Sequence, residues 1–269
     1  MISPIGKVHG YSKLTNSQET ALRQVLLITG GSRGIGAATA LLAASQGYAV
    51  AVNYTANSLA SDEVVRQIRE AGGTAIAVRA DVSIEAEVLA MFTKVDAKLG
   101  HVTALVNNAG VVDVTSRVDA MSLERLQRMF AINVFGSFVC AREAVKRMST
   151  RYEGQGGSIV NVSSAAARLG APGQYVDYAA AKGAIDTFTI GLAKEVAAEG
   201  IRVNAVRPGI IETDIHASGG LPNRAKDLAP QVPIQRAGTA AEVAEAIVWL
   251  LGEKSSYTTG SIIDVAGGR

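Results

Sequence analysis

The chain has 269 residues, of which 48% are hydrophobic, and a formal net charge of +2. This length and composition suit one large α/β domain, and the near-neutral charge argues against nucleic-acid and membrane surfaces. No apolar run reaches the roughly 18 residues of a membrane span. The lone cysteine, Cys140, excludes an intrachain disulfide and favours a reducing compartment such as the cytoplasm. The three histidines are scattered, so no metal site is predicted.

The chain begins with a polar stretch, residues 1–24, which predicts a flexible extension outside the fold. From residue 25 to 269, short apolar runs alternate with longer helical stretches, a pattern typical of a single α/β domain with a doubly wound parallel sheet. The predicted strands are Val25–Thr29, Ala49–Asn53, Ala75–Arg79, Ala104–Asn107, Ser158–Val162, Arg202–Val206 and Ser261–Val265. The predicted helices are Gly36–Gln46, Ser58–Ala71, Glu85–Leu99, Leu123–Met148, Tyr175–Glu199 and Ala240–Leu250.

One long irregular stretch interrupts this alternation between residues 212 and 239. It contains three prolines and the pair Gly219–Gly220. A loop of this length in a compact domain is usually a lid or a binding element. We therefore expect it to cover a substrate.

A cluster of glycines follows the first predicted strand, where "VLLIT" runs into "GGSRGIGAATA". Such a turn places backbone N–H groups and a helix N-terminus against a pyrophosphate. The spacing is T-G-x-x-x-G-x-G, and four glycines within seven positions favour a dinucleotide site over a simple tight turn. The residues predicted to bind the dinucleotide here are Gly30, Ser32, Arg33, Gly34, Ile35 and Gly36.

The end of the second predicted strand indicates which nicotinamide cofactor is bound. An NAD site carries a carboxylate here for the ribose 2′-hydroxyl, but this chain has Asn53 and Tyr54 in "AVNYTANS". Arg33, inside the glycine turn, can pair with a 2′-phosphate, although a solvated surface arginine is the alternative interpretation. The missing carboxylate and the added arginine together predict NADP, with Asn53 and Tyr54 in its site.

Five further motifs follow in order: "ADV" at 80–82, "NNAG" at 107–110, "IVNVSS" at 159–164, "YAAAK" at 178–182 and "RPGIIETD" at 207–214. With the glycine turn, this set resembles the short-chain dehydrogenase/reductase family over residues 25–269. Within it, the chain is most similar to NADP-dependent 3-oxoacyl-(acyl carrier protein) reductases and glucose 1-dehydrogenase-like enzymes. The resemblance implies a Rossmann-type domain with a seven-stranded parallel sheet, an oxidoreductase acting on a small carbonyl or alcohol, and a homotetramer or homodimer.

The resemblance also implies roles for individual residues. The matching cofactor-binding positions are Asp81 and Val82 at the adenine, Asn108, Ala109 and Gly110 beside the adenine ribose, and Pro208, Gly209, Ile211 and Thr213 at the nicotinamide amide. Asn133, in "AINVFG", matches a helix asparagine that holds a water in a proton relay. Ser164 is the better match to the catalytic serine, and the adjacent Ser163 is the alternative.

The pair Tyr178 and Lys182 is the predicted centre of the chemistry. Carbonyl reduction needs a proton donor, and a free tyrosine titrates near pH 10, too high for efficient catalysis at neutrality. Lys182 lies four residues on, on the same helix face, so its ammonium should lower the tyrosine pKa. It can also hold the nicotinamide ribose, so both residues count as cofactor-binding, and Ser164 would steady the substrate oxygen. Tyr175 has Ala179 at that spacing and is expected to shape the pocket.

Several alternatives stay open at this point. In isolation, a tyrosine and a lysine at this spacing are more often a core residue and a surface residue. A nucleotide-binding regulatory protein without activity, or another doubly wound enzyme such as a methyltransferase, would not need Tyr178, Lys182 and Ser164 together. The substrate is either a 3-oxoacyl group on an acyl carrier protein, for which Lys146, Arg147 and Arg151 form a candidate basic cluster, or a sugar or polyol.

Overall fold

The computed structural model describes residues 24–213 and 219–269 and contains one seven-stranded parallel sheet. The predicted extension therefore lies almost entirely outside the described residues. The strands are β1 Val25–Ile28, β2 Ala49–Tyr54, β3 Thr74–Arg79, β4 Ala104–Asn107, β5 Gly157–Val162, β6 Ile201–Pro208 and β7 Ile262–Val265. The helices are α1 Gly34–Ser45, α2 Ser58–Glu70, α3 Glu85–Leu99, α4 Leu123–Phe130, α5 Gly136–Met148, α6 Ala166–Leu169, α7 Val176–Val196, α8 Arg224–Leu228 and α9 Ala240–Leu251.

The strand order is β3-β2-β1-β4-β5-β6-β7, so the direction of winding reverses between β1 and β4. β1 pairs in parallel with β2 on one side and with β4 on the other. In such sheets the ligand crevice lies outside the carboxyl ends of the strands, at this switch point. The order confirms the predicted doubly wound sheet of seven parallel strands and places the glycine turn, which follows β1, at the crevice.

Two apolar layers cover the two faces of the sheet. One layer packs around Phe92 of α3, Cys140 of α5 and Ala193 of α7. The other packs around Ile68 of α2 and Ile247 of α9. Burying one such large side chain stabilises the fold by roughly 1.5–3 kcal/mol. Because both faces are covered, the central strands carry apolar residues at nearly every position, which is the pattern the sequence showed.

Helix ends follow local capping chemistry. The Asn57 side chain accepts a hydrogen bond from the backbone N–H of Ala60 at the start of α2. Thr239 and Glu242 form a reciprocal capping box at the start of α9. That box ends the long irregular stretch at residue 239, as the sequence predicted. Within the described residues, no helix has the length and apolarity needed to cross a membrane.

The structure differs from the sequence prediction in two segments. The predicted helix 123–148 is divided, because a π-helical turn at Ala131–Phe135 separates α4 from α5. The predicted lid, 212–239, is not wholly irregular, since it contains α8 and a 3₁₀ turn at Ala229–Gln231. The lid residues 214–218 lie outside the described residues.

Candidate active site

The glycine turn after β1 forms a tight cradle at the start of α1. Gly30 and Gly34 have φ values of +60° and +53°, which favour glycine. A Cβ at Gly36 would lie 2.7 Å from Asn108 Nδ2 and 2.9 Å from Gly31 Cα, and closer still to the Gly30 carbonyl oxygen. No side chain fits at Gly36. The turn and the helix N-terminus therefore offer the close backbone approach that a pyrophosphate requires.

Two side chains, Asn53 and Asn108, hold the glycine turn in place through hydrogen bonds. Asn53 Oδ1 accepts from the Gly30 N–H at 3.1 Å, and its Nδ2 donates to the carbonyls of Val78 and Ala80 at 3.2 and 3.0 Å. Asn108 Nδ2 donates to the Gly30 carbonyl at 2.8 Å. Asn53 is 1% exposed and does not line the cavity beside the turn. Its polar atoms support the turn, and its predicted place in the cofactor site stays a prediction.

One side of the cavity is bordered by Arg33 and by the segment that follows β2. Arg33 is exposed, precedes the first residue of α1 and lines the cavity. Tyr54 also lines it, together with residues 55–57, and no carboxylate occurs among them. Asp81 and Val82 line the cavity at the end of β3, and the Asp81 carboxylate accepts from the N–H and Oγ–H of Ser83.

The predicted proton donor and serine lie together at the other end of this cavity. Tyr178 is half-buried near the start of α7, and its side chain hydrogen-bonds with that of Ser164. The Ser164 Oγ also accepts from the Ala166 N–H at 3.1 Å. Ser163 is instead buried, and its Oγ–H donates to the Lys182 carbonyl at 3.2 Å. These contacts therefore favour Ser164 over Ser163 as the candidate catalytic serine.

The pKa of Tyr178 differs in direction from the sequence expectation. Burial raises it to about 12, although the hydrogen bond with Ser164 acts in the opposite direction. The Lys182 Nζ lies 5.6 Å from the centre of the tyrosine ring and donates to the Val162 carbonyl at 2.7 Å. The loss of hydration thus outweighs the hydrogen bond with Ser164, and Tyr178 keeps its proton at neutral pH.

Lys182 itself is buried, with 4% of its surface exposed. Burial lowers its pKa to about 8, whereas the carboxylate of Asp186, one helical turn on, acts to raise it. Both the ammonium and the Asn133 side chain lie beside Gly110, where a Cβ would be 3.6 Å from Lys182 Nζ and 2.8 Å from Asn133 Oδ1. Gly110 therefore leaves the space that these two side chains occupy.

We expect the buried ammonium to make the stability of the fold depend on pH. The pKa of Lys182 is about 8 in the folded state, and its ordinary value is 10.5. Below pH 8 the buried charge therefore lowers the free energy of unfolding by its full amount, and this loss is relieved as the pH rises to 10.5. The shift corresponds to roughly 3 kcal/mol. Urea unfolding should show the wild type gaining up to about 3 kcal/mol relative to Lys182→Met between pH 7 and pH 10. The control Lys194→Met, at an exposed position of α7, should run parallel to the wild type; parallel curves for Lys182→Met would contradict the prediction.

Asn133 lies in the π-helical turn and is fully buried. Its Nδ2 donates to the carbonyls of Val111 and Met129, each at 3.0 Å, and its Oδ1 accepts from the Val111 N–H at 3.2 Å. The amide thus fastens the segment after β4 to the helix. π-turns of this kind are frequent at functional sites. The proton-relay role of Asn133 stays a prediction.

Two ion pairs that the sequence analysis missed fix helix α7. Asp177, next to the tyrosine, is fully buried with Arg125 of α4, with distances of 2.8 and 3.2 Å. Asp186 accepts from Arg207 of β6 at 2.8 and 2.9 Å. The partners are 52 and 21 residues apart, so no local pattern pointed to them. Together the pairs hold Tyr178 and Lys182 between α4 and the end of β6.

Most of the predicted site residues line one cavity of about 950 Å³ at the carboxyl ends of the strands. The predicted site residues that line it are Gly30, Ser32, Arg33, Gly34, Ile35, Tyr54, Asp81, Val82, Asn108, Ala109, Gly110, Ser164, Tyr178, Lys182, Pro208, Gly209, Ile211 and Thr213. Gly36, Asn53 and Asn133 do not line it and act through neighbours. In the part of the chain that the structure describes, no cluster of three or more His, Cys, Asp or Glu side chains could hold a metal ion.

The cavity lining also includes residues that no motif identified. Tyr175, as predicted, lines the cavity, and so do Gln174 and Leu169 between β5 and α7. Arg224 of α8 reaches it from the predicted lid. The only sequence signal for Arg224 was its position in a long loop, which does not specify a side-chain direction.

The doubly wound sheet has a glycine cradle at its switch point. The same crevice holds a serine and a Tyr-x-x-x-Lys pair. These features together define a dinucleotide-binding oxidoreductase. The family model described as enoyl-(acyl carrier protein) reductase matches residues 30–269. An uncharacterized oxidoreductase of Escherichia coli (strain K12), YgfF, is 58% identical over 91% of this chain and 99% of its own. A 3-oxoacyl-[acyl-carrier-protein] reductase of Synechocystis sp. is 40% identical over 91% of this chain and 96% of its own.

Solved structures agree with these relatives. A variant short-chain dehydrogenase/reductase of Serratia marcescens superposes with a TM-score of 0.82 at 33% identity, covering 91% of this chain and 97% of its own. The chain belongs to the short-chain dehydrogenase/reductase family and is an oxidoreductase with a nicotinamide cofactor.

Proposed function

We propose that the protein is an NADP(H)-dependent oxidoreductase that interconverts a carbonyl and an alcohol, with Tyr178 as general acid and base. One observation carries this proposal: Tyr178, Ser164 and Lys182 line the same cavity as the glycine cradle. A regulatory nucleotide-binding protein would not need a buried lysine, costly to hold, beside a tyrosine and a serine.

The residues divide the work as follows. Ser164 donates a hydrogen bond to the substrate oxygen and stabilises the charge that develops on it. Tyr178, which keeps its proton at neutral pH, donates that proton to the same oxygen. Lys182 holds the ribose hydroxyls beside the nicotinamide, and Pro208 and Gly209 border the same end of the cavity. The bound cofactor supplies the hydride.

The glycine cradle supports a dinucleotide, and Arg33 supports its 2′-phosphate. The missing carboxylate after β2 removes the partner that a ribose 2′-hydroxyl would need. A panel of ketones, diketones, acetoacetyl thioesters and aldoses, each offered with NADPH and NADH, tests the proposal through cofactor oxidation at 340 nm. Failure to oxidise either cofactor with every carbonyl of the panel would remove the proposed activity.

Arg33→Ala is expected to weaken NADPH binding by at least about tenfold and to leave NADH binding within about twofold, because only NADPH presents a phosphate to the guanidinium. Fluorescence titration of each cofactor measures the two dissociation constants. Arg151→Ala, at an exposed position in the 3₁₀ turn after α5, removes the same charge away from the cavity and is the control. Equal weakening of both cofactors in Arg33→Ala would argue against the 2′-phosphate role.

A second candidate is reduction of a 3-oxoacyl group on an acyl carrier protein, which the name of the Synechocystis relative supports. The basic cluster Lys146, Arg147 and Arg151, the candidate docking site for the carrier protein, gives this second candidate less support. Lys146 is paired with Glu143 at 2.9 Å, and Arg147 is paired with Asp96 at 2.8 Å. Only Arg151 of the three is exposed without a carboxylate partner among the described residues. The cluster therefore offers an acidic carrier little uncompensated charge.

We further propose that the protein forms a homotetramer or homodimer in the cytoplasm. Apolar side chains stay exposed on α5, the π-turn and α7: Phe135 is 60%, Phe138 46% and Ile190 40% exposed. Exposed apolar groups on adjacent helices favour contact with a second copy. The cytoplasmic location is supported by a single, buried cysteine, Cys140, which does not form an intrachain disulfide.

A further inference from the structure

The large cavity carries an excess of positive charge. Among the described residues, its charged lining is Arg33, Arg128, Lys182, Arg224, Arg269 and Asp81. The one carboxylate, Asp81, is occupied by Ser83, with hydrogen bonds of 2.7 and 2.9 Å. Five basic side chains against one carboxylate make the cavity attractive to anions.

Three of the basic groups already have a partner or a proposed role. Arg33 lies beside the glycine turn, where the 2′-phosphate is proposed to bind. Lys182 donates to the Val162 carbonyl at 2.7 Å. Arg128 is exposed and pairs with Asp113, with 3.3 Å between Nη1 and Oδ2. Arg269, which follows β7, is different: its hydrogen bonds to described residues are made by its backbone, whose carbonyl accepts from Arg168 at 2.9 Å. Among the described residues, Arg224 and Arg269 are thus the two cavity cations without an ion pair or a proposed role, and Arg224 is the one whose guanidinium contacts the cavity wall, at Gln174 and Tyr175.

Arg224 is half-buried and oriented by neutral groups. Its Nη2 donates to Gln174 Oε1 at 2.7 Å, and its guanidinium carbon lies 5.2 Å from the centre of the Tyr175 ring. Within residues 24–213 and 219–269, no carboxylate forms an ion pair with it. A guanidinium has five N–H donors in a fixed fork, and within the described part of the chain Gln174 is the one group that accepts from the Arg224 guanidinium, which leaves most of these donors available.

The position of Arg224 relates it to the reacting group. Tyr175, on which the guanidinium stacks, precedes Tyr178 by three residues, about one helical turn. Both tyrosines and Arg224 line the same cavity. A compact substrate whose carbonyl meets Tyr178 therefore has its far end near Arg224. A partly buried guanidinium that has no counter-ion among the described residues is suited to bidentate recognition of a carboxylate.

We propose that Arg224 is a substrate-binding residue and that the substrate is a small carboxylate, an oxo acid in one direction and a hydroxy acid in the other. This inference rests on the proposed function for the type of reaction. It adds what the family motifs leave open, namely the chemical group that anchors the end of the substrate away from the reacting carbonyl.

Binding calorimetry tests the proposal without turnover. Cyclohexanecarboxylate and its amide, cyclohexanecarboxamide, have nearly the same shape and differ in charge, and each is titrated into the enzyme alone and into the enzyme saturated with NADP⁺. We expect the carboxylate to bind the wild type at least about tenfold more tightly than the amide. Arg224→Gln should reduce the difference to within about twofold, and Arg224→Lys should give an intermediate value because it lacks the fork.

Arg128→Gln is the matched control, because it removes the same charge from the same cavity at a residue that already has a carboxylate partner. It should keep the preference for the carboxylate. Equal binding of the two probes to the wild type, or an undiminished preference in Arg224→Gln, would overturn the proposal. A preference that persists in an enzyme that reduces no carbonyl would keep this inference and remove only the proposed activity.

Discussion

Tyr178→Phe is expected to lower the turnover number for carbonyl reduction by roughly 10²–10⁴-fold, the contribution of a positioned general acid. The substitution removes one oxygen and leaves the ring in place. Burial holds the pKa of the phenol at about 12, so the native side chain carries its proton at every pH at which the assay runs. The variant loses the proton donor, and the hydrogen bond proposed from Ser164 to the substrate oxygen does not transfer a proton in its place.

The measurement combines steady-state kinetics with cofactor titration. The dissociation constant for NADPH should change by less than about twofold in Tyr178→Phe, because the cradle and Lys182 are untouched. Tyr175→Phe is the matched control: this tyrosine also lies in the cavity wall, three residues earlier in the chain, but has no lysine four residues on. It should keep at least about a tenth of wild-type turnover. A comparable loss of turnover in both variants would show that Tyr178 lines the pocket without donating the proton.

Much of the fold follows from periodicity in the sequence. The strands and helices were predicted to within one or two residues at most ends, because a parallel sheet covered on both faces requires nearly continuous apolar runs. Ala104–Asn107 and Glu85–Leu99 coincide with the observed β4 and α3. The sequence analysis placed the glycine turn, the serine and the Tyr-x-x-x-Lys pair in order, and the topology brings all three to one edge of the sheet.

The parts that were missed depend on contacts between distant residues. The π-turn in the middle of the 123–148 segment forms where Asn133 bonds to Val111, 22 residues away. Helical periodicity in the sequence does not predict that contact. The pair Arg125–Asp177 joins residues 52 positions apart. The position of Asn53 at the end of a strand did not indicate that its amide oxygen accepts a hydrogen bond from Gly30, 23 residues away.

The pKa of Tyr178 illustrates a limit of spacing arguments. Residues four apart share a helix face, so the lysine was expected to lower the tyrosine pKa. The structure shows the ammonium bonded to the Val162 carbonyl, and burial raises the pKa of the half-buried phenol to about 12. Which effect dominates depends on burial, and burial is a property of the folded cavity rather than of the interval between two residues.

Gly36→Ala is expected to weaken NADPH binding by about 100-fold, although Gly36 does not line the cavity. A methyl group there would lie 2.7 Å from Asn108 Nδ2 and 2.9 Å from Gly31 Cα, and in overlap with the Gly30 carbonyl oxygen. Two of these three contacts are backbone, so the turn itself must shift. A shift breaks the hydrogen bond from Asn108 to Gly30 and moves the N–H groups that are proposed to hold the pyrophosphate.

Overpacking of this kind also costs about 1–3 kcal/mol of stability, so the melting temperature is measured beside the cofactor titration. Gly191→Ala is the control, because nothing lies within 4 Å of a Cβ at this position in α7. It should bind NADPH normally and gain up to about 1 kcal/mol of stability, since alanine favours helix over glycine.

Asn108→Ala distinguishes weaker NADPH binding caused by a disturbed glycine cradle from weaker binding caused by unfolding. It removes the hydrogen bonds to the Thr29 and Gly30 carbonyls, at 2.9 and 2.8 Å, without adding a clash. If Gly36→Ala fails to fold, this variant should still fold and bind NADPH about tenfold less tightly. Wild-type affinity in a folded Gly36→Ala or in Asn108→Ala would mean that the turn is not where the pyrophosphate binds, because a cradle built from fixed N–H groups does not tolerate displacement.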